Sequence, residues 1–158
     1  VEAFSESVEL VEDMLFVPDL EAIEKNDIAV IWVGRNNTRD SQGVMLDTVT
    51  IYNLFAKITP RILVLSVING RGEFAGTDSH KIITSINRRL KFEFGENYLD
   101  IRQALINAYD PDDPQSVIDH EQDTTPSSLR VDTIHLNQEG HGIVSRSIYE
   151  YMLRLGWL

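Results

Sequence analysis

The stretch Arg61-Ile62-Leu63-Val64-Leu65-Ser66-Val67-Ile68 decides the fold. It is a nearly unbroken apolar run, introduced by Pro60 and closed by Asn69-Gly70. Such a run reads as a parallel strand buried on both faces. Asp27-Ile28-Ala29-Val30-Ile31-Trp32-Val33 reads the same way and ends at Gly34 and a polar loop. Between the two, residues 43–58 carry Leu46, Val49, Leu54, Phe55 and Ile58 and predict a helix. Beyond a glycine-rich loop at 70–77, residues 78–93 place Ile82, Ile83, Ile86 and Leu90 at helical spacing, with Asp78 or Ser79 as the cap. A short third strand is predicted over 98–101 and a short helix over 102–108. A long polar loop follows over 110–125, with one helical turn near Val117. The last helix is predicted from near Asn137 to about Leu155, its buried stripe formed by Ile143, Val144, Ile148, Met152 and Leu153. Strands alternating with helices predict an α/β sheet with crossover connections. Residues 8–17 read as an edge strand and residues 19–25 as a short helix after Pro18, so 1–26 form an N-terminal edge segment or linker ahead of a domain at 27–158.

Of the 158 residues, 42% are hydrophobic and 25% charged, which suits one compact domain with a real core. No run approaches the roughly 20 apolar residues that span a bilayer. The opening Val1-Glu2-Ala3-Phe4-Ser5-Glu6 has neither the basic start nor the apolar stretch of a signal peptide. It also lacks an initiator Met, which predicts a piece of a longer polypeptide. The net charge of −11 argues against nucleic acid and anionic membranes as partners. The absence of cysteine rules out disulfides, thiolate catalysis and Cys-ligated zinc. It leaves the compartment open: cytoplasmic, virion and secreted proteins all fit.

Two short blocks carry chemistry. In Val131-Asp132-Thr133-Ile134-His135-Leu136-Asn137 a carboxylate precedes an imidazole by three residues, just ahead of an amphipathic helix. In a tight turn that spacing lets Asp132 reach Nδ1 of His135, fixing the tautomer and leaving Nε2 as a general base. In Gly34-Arg35-Asn36-Asn37, at the carboxyl end of a strand, Gly34 permits a sharp departure and Asn36 offers an amide N–H to a developing oxyanion. Each block also has a plain structural reading: Asn and Gly make turns, and Asp caps them.

Together the blocks resemble two of the signature blocks of the SGNH, or GDSL-type, serine esterase family, over roughly residues 27–158. Gly34-Arg35-Asn36-Asn37 resembles the family's Gly-x-Asn-Asp block after its third strand, with Asn37 in place of Asp. Asp132-Thr133-Ile134-His135, followed by Gly140, resembles its Asp-x-x-His block. The Gly-Arg-Asn-Asn variant is similar to SGNH-type domains of phage and prophage proteins. The resemblance implies a flavodoxin-like three-layer α/β/α fold with a mostly parallel sheet, lacking its first strand in this chain. It implies His135 as general base, Asp132 as its orienting partner and Asn36 as an oxyanion donor, with Gly34 and Arg35 beside the substrate. It implies a carboxylic ester as substrate, such as an O-acetyl group on carbohydrate, and no cofactor.

The family's Gly-Asp-Ser block and its second glycine block are absent. Ser5 and Ser7 lack the Gly-Asp context, and too few residues separate Ser7 from Gly34 to hold a helix, a strand and a second helix. Ser66 falls inside a buried strand, and nothing activates Ser41. The nucleophile is therefore expected in a segment upstream of Val1. That segment, or an oligomer partner, is also expected to cover the sheet edges left unpaired. A non-catalytic carbohydrate-binding or structural module on the same fold, in a phage tail or cell-surface assembly, is the alternative. A flavodoxin-like regulatory domain unrelated to esterases is a third.

Other constellations carry less. His135 and His141 are six apart, not the i, i+4 spacing that faces two imidazoles together, so no metal is expected. Asp110-Pro111-Asp112-Asp113-Pro114 lacks the alternation and distal Glu of a Ca²⁺ loop. Gly70-Arg71-Gly72 lacks the Lys-Ser/Thr of a phosphate loop. His80 and His120 read as surface residues. Arg35 either recognises an acidic sugar or carboxylate, or pairs with Asp40 or Glu73.

Overall fold

The computed structural model describes residues 22–158. The expected edge strand at 8–17, most of the expected helix at 19–25, and Ser5 and Ser7 lie outside the described residues. At the centre is β2 (Ile62–Leu65), all four residues of which are buried. β1 (Ala29–Ile31) and β3 (Tyr98–Leu99) pair with it on either side, both parallel. Ala29 stands opposite Ile62, and Val64 opposite Tyr98.

Strand alternation splits the core in two. Ile31, Ile62 and Val64 face α1 (Ser41–Phe55) and α2 (Asp78–Phe94) through Val44, Met45, Ile83, Ile86 and Leu90. Leu63 and Leu65 face the other way, against α3 (Ile101–Asn107) and α5 (Gln138–Arg154) through Ile101, Leu105 and Val144. The molecule is thus an α/β fold with a small parallel sheet between two helical layers. Among the described residues no helix is long and apolar enough to cross a membrane.

Several expectations are corrected. The strands are shorter than the apolar runs that announced them. β1 is buried on one face only: Ile31 is covered, but Val30 is 43% exposed, because the α3–α5 layer stops over β2 and β3. Leu46, expected in the core, is 66% exposed, since the buried stripe of α1 runs through Val44, Met45 and Thr48. Leu153 likewise faces outward on α5. The loop at 110–125 holds more than one turn: α4 (Pro114–Glu121) is an eight-residue helix. Asp113 caps it by accepting from the Gln115 N–H, and Pro114 sits in the first turn, where its missing N–H costs nothing. The cap of α2 is Thr77, not Asp78 or Ser79; its hydroxyl accepts from the His80 N–H.

β2 runs on beyond its paired residues into Val67, whose backbone has no strand partner among the described residues. Asn87 of α2 supplies one: its Oδ1 accepts from the Val67 N–H and its Nδ2 donates to the Val67 carbonyl, both at 2.8 Å. The side chain thereby fixes where the chain leaves the sheet. Asn87→Leu strands both buried backbone groups and is expected to cost about 1–3 kcal/mol for each. Urea denaturation measures it; a loss below about 0.5 kcal/mol, the range of a neutral surface change, contradicts that role.

Candidate functional site

Asp132 builds its own turn. Its Oδ1 accepts from the Ile134 and His135 backbone N–H groups, each at 2.8 Å. Its Oδ2 lies 2.7 Å from Nδ1 of His135. An ionised carboxylate only accepts, so Nδ1 carries the hydrogen and Nε2 is left with its lone pair. The turn is closed from outside by the Val131 N–H donating to the His135 carbonyl at 2.8 Å. Leu136, next in line, is buried in the core beneath α5 and anchors it. The imidazole is well exposed, so Nε2 is open to an incoming group. The two backbone N–H groups, and after them the imidazole, hold the Asp132 pKa down at about 2.

Gly34 and the loop after it open at the carboxyl end of β1. Gly34 has φ +92°, and a Cβ there would meet Val44 of α1 at 2.5 Å. Both facts require glycine. The chain then turns through Asn37, whose N–H donates to the Gly34 carbonyl, and reaches Asp40, the cap of α1. Asn36 lines a shallow cleft of about 290 Å³ with Asn37, Arg39 and Asp40. Arg35 turns the other way and donates to Glu73 at 2.8 Å. Of the two partners expected for it, Asp40 is engaged by the Gly43 N–H of α1.

The two blocks are joined through the loop after β2. The Glu73 oxygen that takes Arg35 also accepts from the Gly70 N–H at 2.9 Å. Gly70 then passes under the Asp132–His135 turn: a Cβ on it would overlap the Thr133 carbonyl oxygen. That carbonyl accepts from the Arg71 N–H at 2.8 Å and from Arg130 at 2.7 Å. The structure therefore brings Asp132 to His135, Arg35 to Glu73, and both groups to one edge of the sheet. Asn36 and His135 share no hydrogen bond among the described residues, and His135 is not among the residues lining the Asn36 cleft.

A second polar cluster supports that edge. Arg102, buried on α3, donates to the Asp123 carboxylate at 2.6 Å and to its carbonyl at 2.7 Å. His80 Nε2 lies 2.7 Å from the same carboxylate oxygen. Because Asp123 accepts there, Nε2 bears hydrogen. The 3.3 Å approach of Arg102 to that nitrogen is then a contact between two donors, not a hydrogen bond. Burial pushes the Asp123 carboxyl up, but the bonds from Arg102 and His80 outweigh it and hold it below the usual carboxylate value. Asp123 adopts φ +53°, rare for a non-glycine residue. Its carbonyl also accepts from Asn69, whose Nδ2 donates to the Glu73 carbonyl as well. His80 and His120 are thus partly buried rather than on the surface; His120 Nδ1 meets the Ile106 carbonyl and its ring stacks on Tyr109.

No Ser or Thr hydroxyl is hydrogen-bonded to His135 among the described residues. Ser66 is fully buried, and its Oγ accepts from the Arg102 N–H. Ser41 opens α1 and its carbonyl receives Arg89.

An α/β domain carrying a carboxylate-oriented histidine at the carboxyl edge of a parallel sheet is the class of protein defined by these observations. No protein-family model matches the chain. It is similar to the tail spike protein of Salmonella phage epsilon15: 28% identical over 119 residues, covering 72% of this chain and 11% of that protein. The chain thus spans about a tenth of the length of the relative it matches.

Asp132 gives the turn a pH signature. A carboxylate whose folded pKa lies below its unfolded value of 3.8 adds stability above that value and loses it as the pH falls through about 2. The Asp132 carboxyl ¹³C signal is expected to titrate near the lower figure, and the Ile134 and His135 amides are expected to shift with it. An ordinary carboxylate midpoint would show that the turn is not formed in solution.

Proposed function

We propose that this chain is a carbohydrate-facing module of a phage tail-spike-type protein, a binding or structural unit built on a flavodoxin-like, SGNH-type fold. The observation that carries the reading is the likeness to the epsilon15 tail spike, which covers most of this chain but a small part of that protein. That proportion suits one module within a much longer polypeptide. The open face of β1, with Val30 and Trp32 only half covered, is consistent with a neighbouring segment of that polypeptide or an oligomer partner completing the sheet.

Ester hydrolysis is the second reading, and a specific geometry favours it. Asp132 holds Nδ1 of His135 at 2.7 Å and leaves Nε2 exposed. A serine hydroxyl from an upstream segment would lose its proton to Nε2 while its oxygen attacks the ester carbon. The imidazolium then returns the proton to the departing alcohol, its charge balanced by Asp132. Asn36 would stand as oxyanion donor, with Gly34 and Arg35 beside the substrate.

One experiment separates the two. The longest reading frame carrying this chain is mixed with O-acetylated surface polysaccharide, and binding and acetate release are followed for wild type and His135→Ala. Binding without acetate release in either protein is expected for the module; no binding overturns it. Acetate release that falls by roughly a million-fold in His135→Ala, as for a triad knockout, establishes the esterase instead. Equal release from both removes His135 from the chemistry.

A further inference from the structure

We infer that Arg130 is the positioning residue of the Asp132–His135 pair: by clamping one peptide plane of the turn, it fixes which ring nitrogen of His135 bears hydrogen. The inference rests on the hydrolytic reading above for its purpose, since that reading needs the Nε2 lone pair.

The turn is closed at its base. Arg130 pairs with Leu136 in an isolated antiparallel bridge, and the Val131 N–H donates to the His135 carbonyl. Those bonds hold the two ends and leave the peptides between them free to rotate. The Arg130 side chain fixes them. Its Nη1 donates to the Thr133 carbonyl at 2.7 Å and reaches the Asp132 carbonyl at 3.4 Å, while its Nε donates to the Thr125 carbonyl at 3.2 Å. Thr125 is fully buried, so the guanidinium ties an exposed turn to a point inside the protein.

One peptide plane carries the effect. The Thr133–Ile134 bond is trans, like every peptide bond among the described residues, so its C=O and its N–H point in opposite directions. With the Thr133 carbonyl held by Arg130 and by the Arg71 N–H, the Ile134 N–H is aimed at Oδ1 of Asp132, 2.8 Å away. The same oxygen takes the His135 N–H, which leaves Oδ2 facing Nδ1 at 2.7 Å. Arg130 thus governs a hydrogen bond that it does not touch. Burial pushes its guanidinium down from the ordinary arginine value and the Arg71 charge adds to this, against the pull of Asp119, Asp132 and Glu73. Yet every hydrogen bond of the side chain among the described residues goes to a backbone carbonyl. A rigid fork reaches several carbonyls at once, which the single ammonium of lysine does not.

The test uses the ¹⁵N-labelled 158-residue chain. The two ring nitrogens of His135 are read by ¹⁵N–¹H correlation at a pH where the ring is neutral. The wild type is expected to show hydrogen on Nδ1. Arg130→Met is expected to move the tautomer ratio about ten-fold toward Nε2–H, the worth of one hydrogen bond to a charged group. Arg130→Lys, which keeps the charge and one donor, is expected to restore part of that change. Asn87→Leu weakens the fold from α2 without touching the turn, and is expected to leave the ratio unaltered. A folded Arg130→Met protein with the wild-type ratio overturns the inference, and so does an equal change in Asn87→Leu. Should Arg130→Met fail to fold, the wild-type guanidinium decides. Slowed rotation of its Nη groups is the expected result, and free rotation overturns the clamp. No substrate enters these measurements. A protein that releases no acetate therefore defeats the hydrolytic reading and leaves the Arg130 result standing, while an unmoved tautomer ratio defeats the inference even where acetate is released.

Discussion

The passage of Gly70 beneath the Thr133 carbonyl is the constraint on which the site depends. Two segments some sixty residues apart in the chain approach so closely there that no side chain fits between them. The contact is sealed by the Arg71 N–H and by Arg130, which both donate to the same carbonyl oxygen. On one side it sets the Asp132–His135 turn; on the other, Glu73 carries the linkage to Arg35 and the loop after β1. The polar groups of this edge are thus positioned by backbone geometry set from the buried strand β2, not by side-chain contacts alone.

That edge is assembled from charges held in place by bonds. Asp123 sits in a backbone conformation that L-residues rarely adopt, and Arg102 and His80 compensate by bonding its carboxylate. Asn69 and Thr124 then tie the Asp123 segment to the loop carrying Glu73 and Gly70. The cluster lies off the Asp132–His135 turn and acts on it through this loop. Because Arg102 is almost wholly buried, loss of Asp123 would leave a charge without a partner, the costly half of a buried pair.

What the sequence discloses follows the range of each interaction. The Asp132–His135 turn is legible because it is local: one carboxylate caps two amides and one imidazole within three residues. β2 is legible because burial on both faces demands an unbroken apolar run. The start of α4 was written in Asp113-Pro114, a cap followed by a first-turn proline, and was obscured by the acidic, proline-rich loop around it. The exposure of Val30 and Leu46 was not legible, since periodicity tells which residues are apolar and not how far a neighbouring layer extends. The His80–Arg102–Asp123 cluster left no pattern at all, its members coming from α2, α3 and a turn after α4. Arg35 had two candidate partners in the sequence, and the fold pairs it with Glu73 by bringing the loop after β2 beside the loop after β1.

The claim that binds the rest is that the loop after β2 is hydrogen-bonded to the histidine-bearing turn. The most direct measurement is the scalar coupling across the hydrogen bond from the Arg71 amide nitrogen to the Thr133 carbonyl carbon, read by NMR in the labelled chain. A resolved coupling, with slow exchange of the Arg71 amide, is the expected result. A rapidly exchanging Arg71 amide with no coupling to Thr133 would mean that the two loops are not joined, and the site as described would not exist.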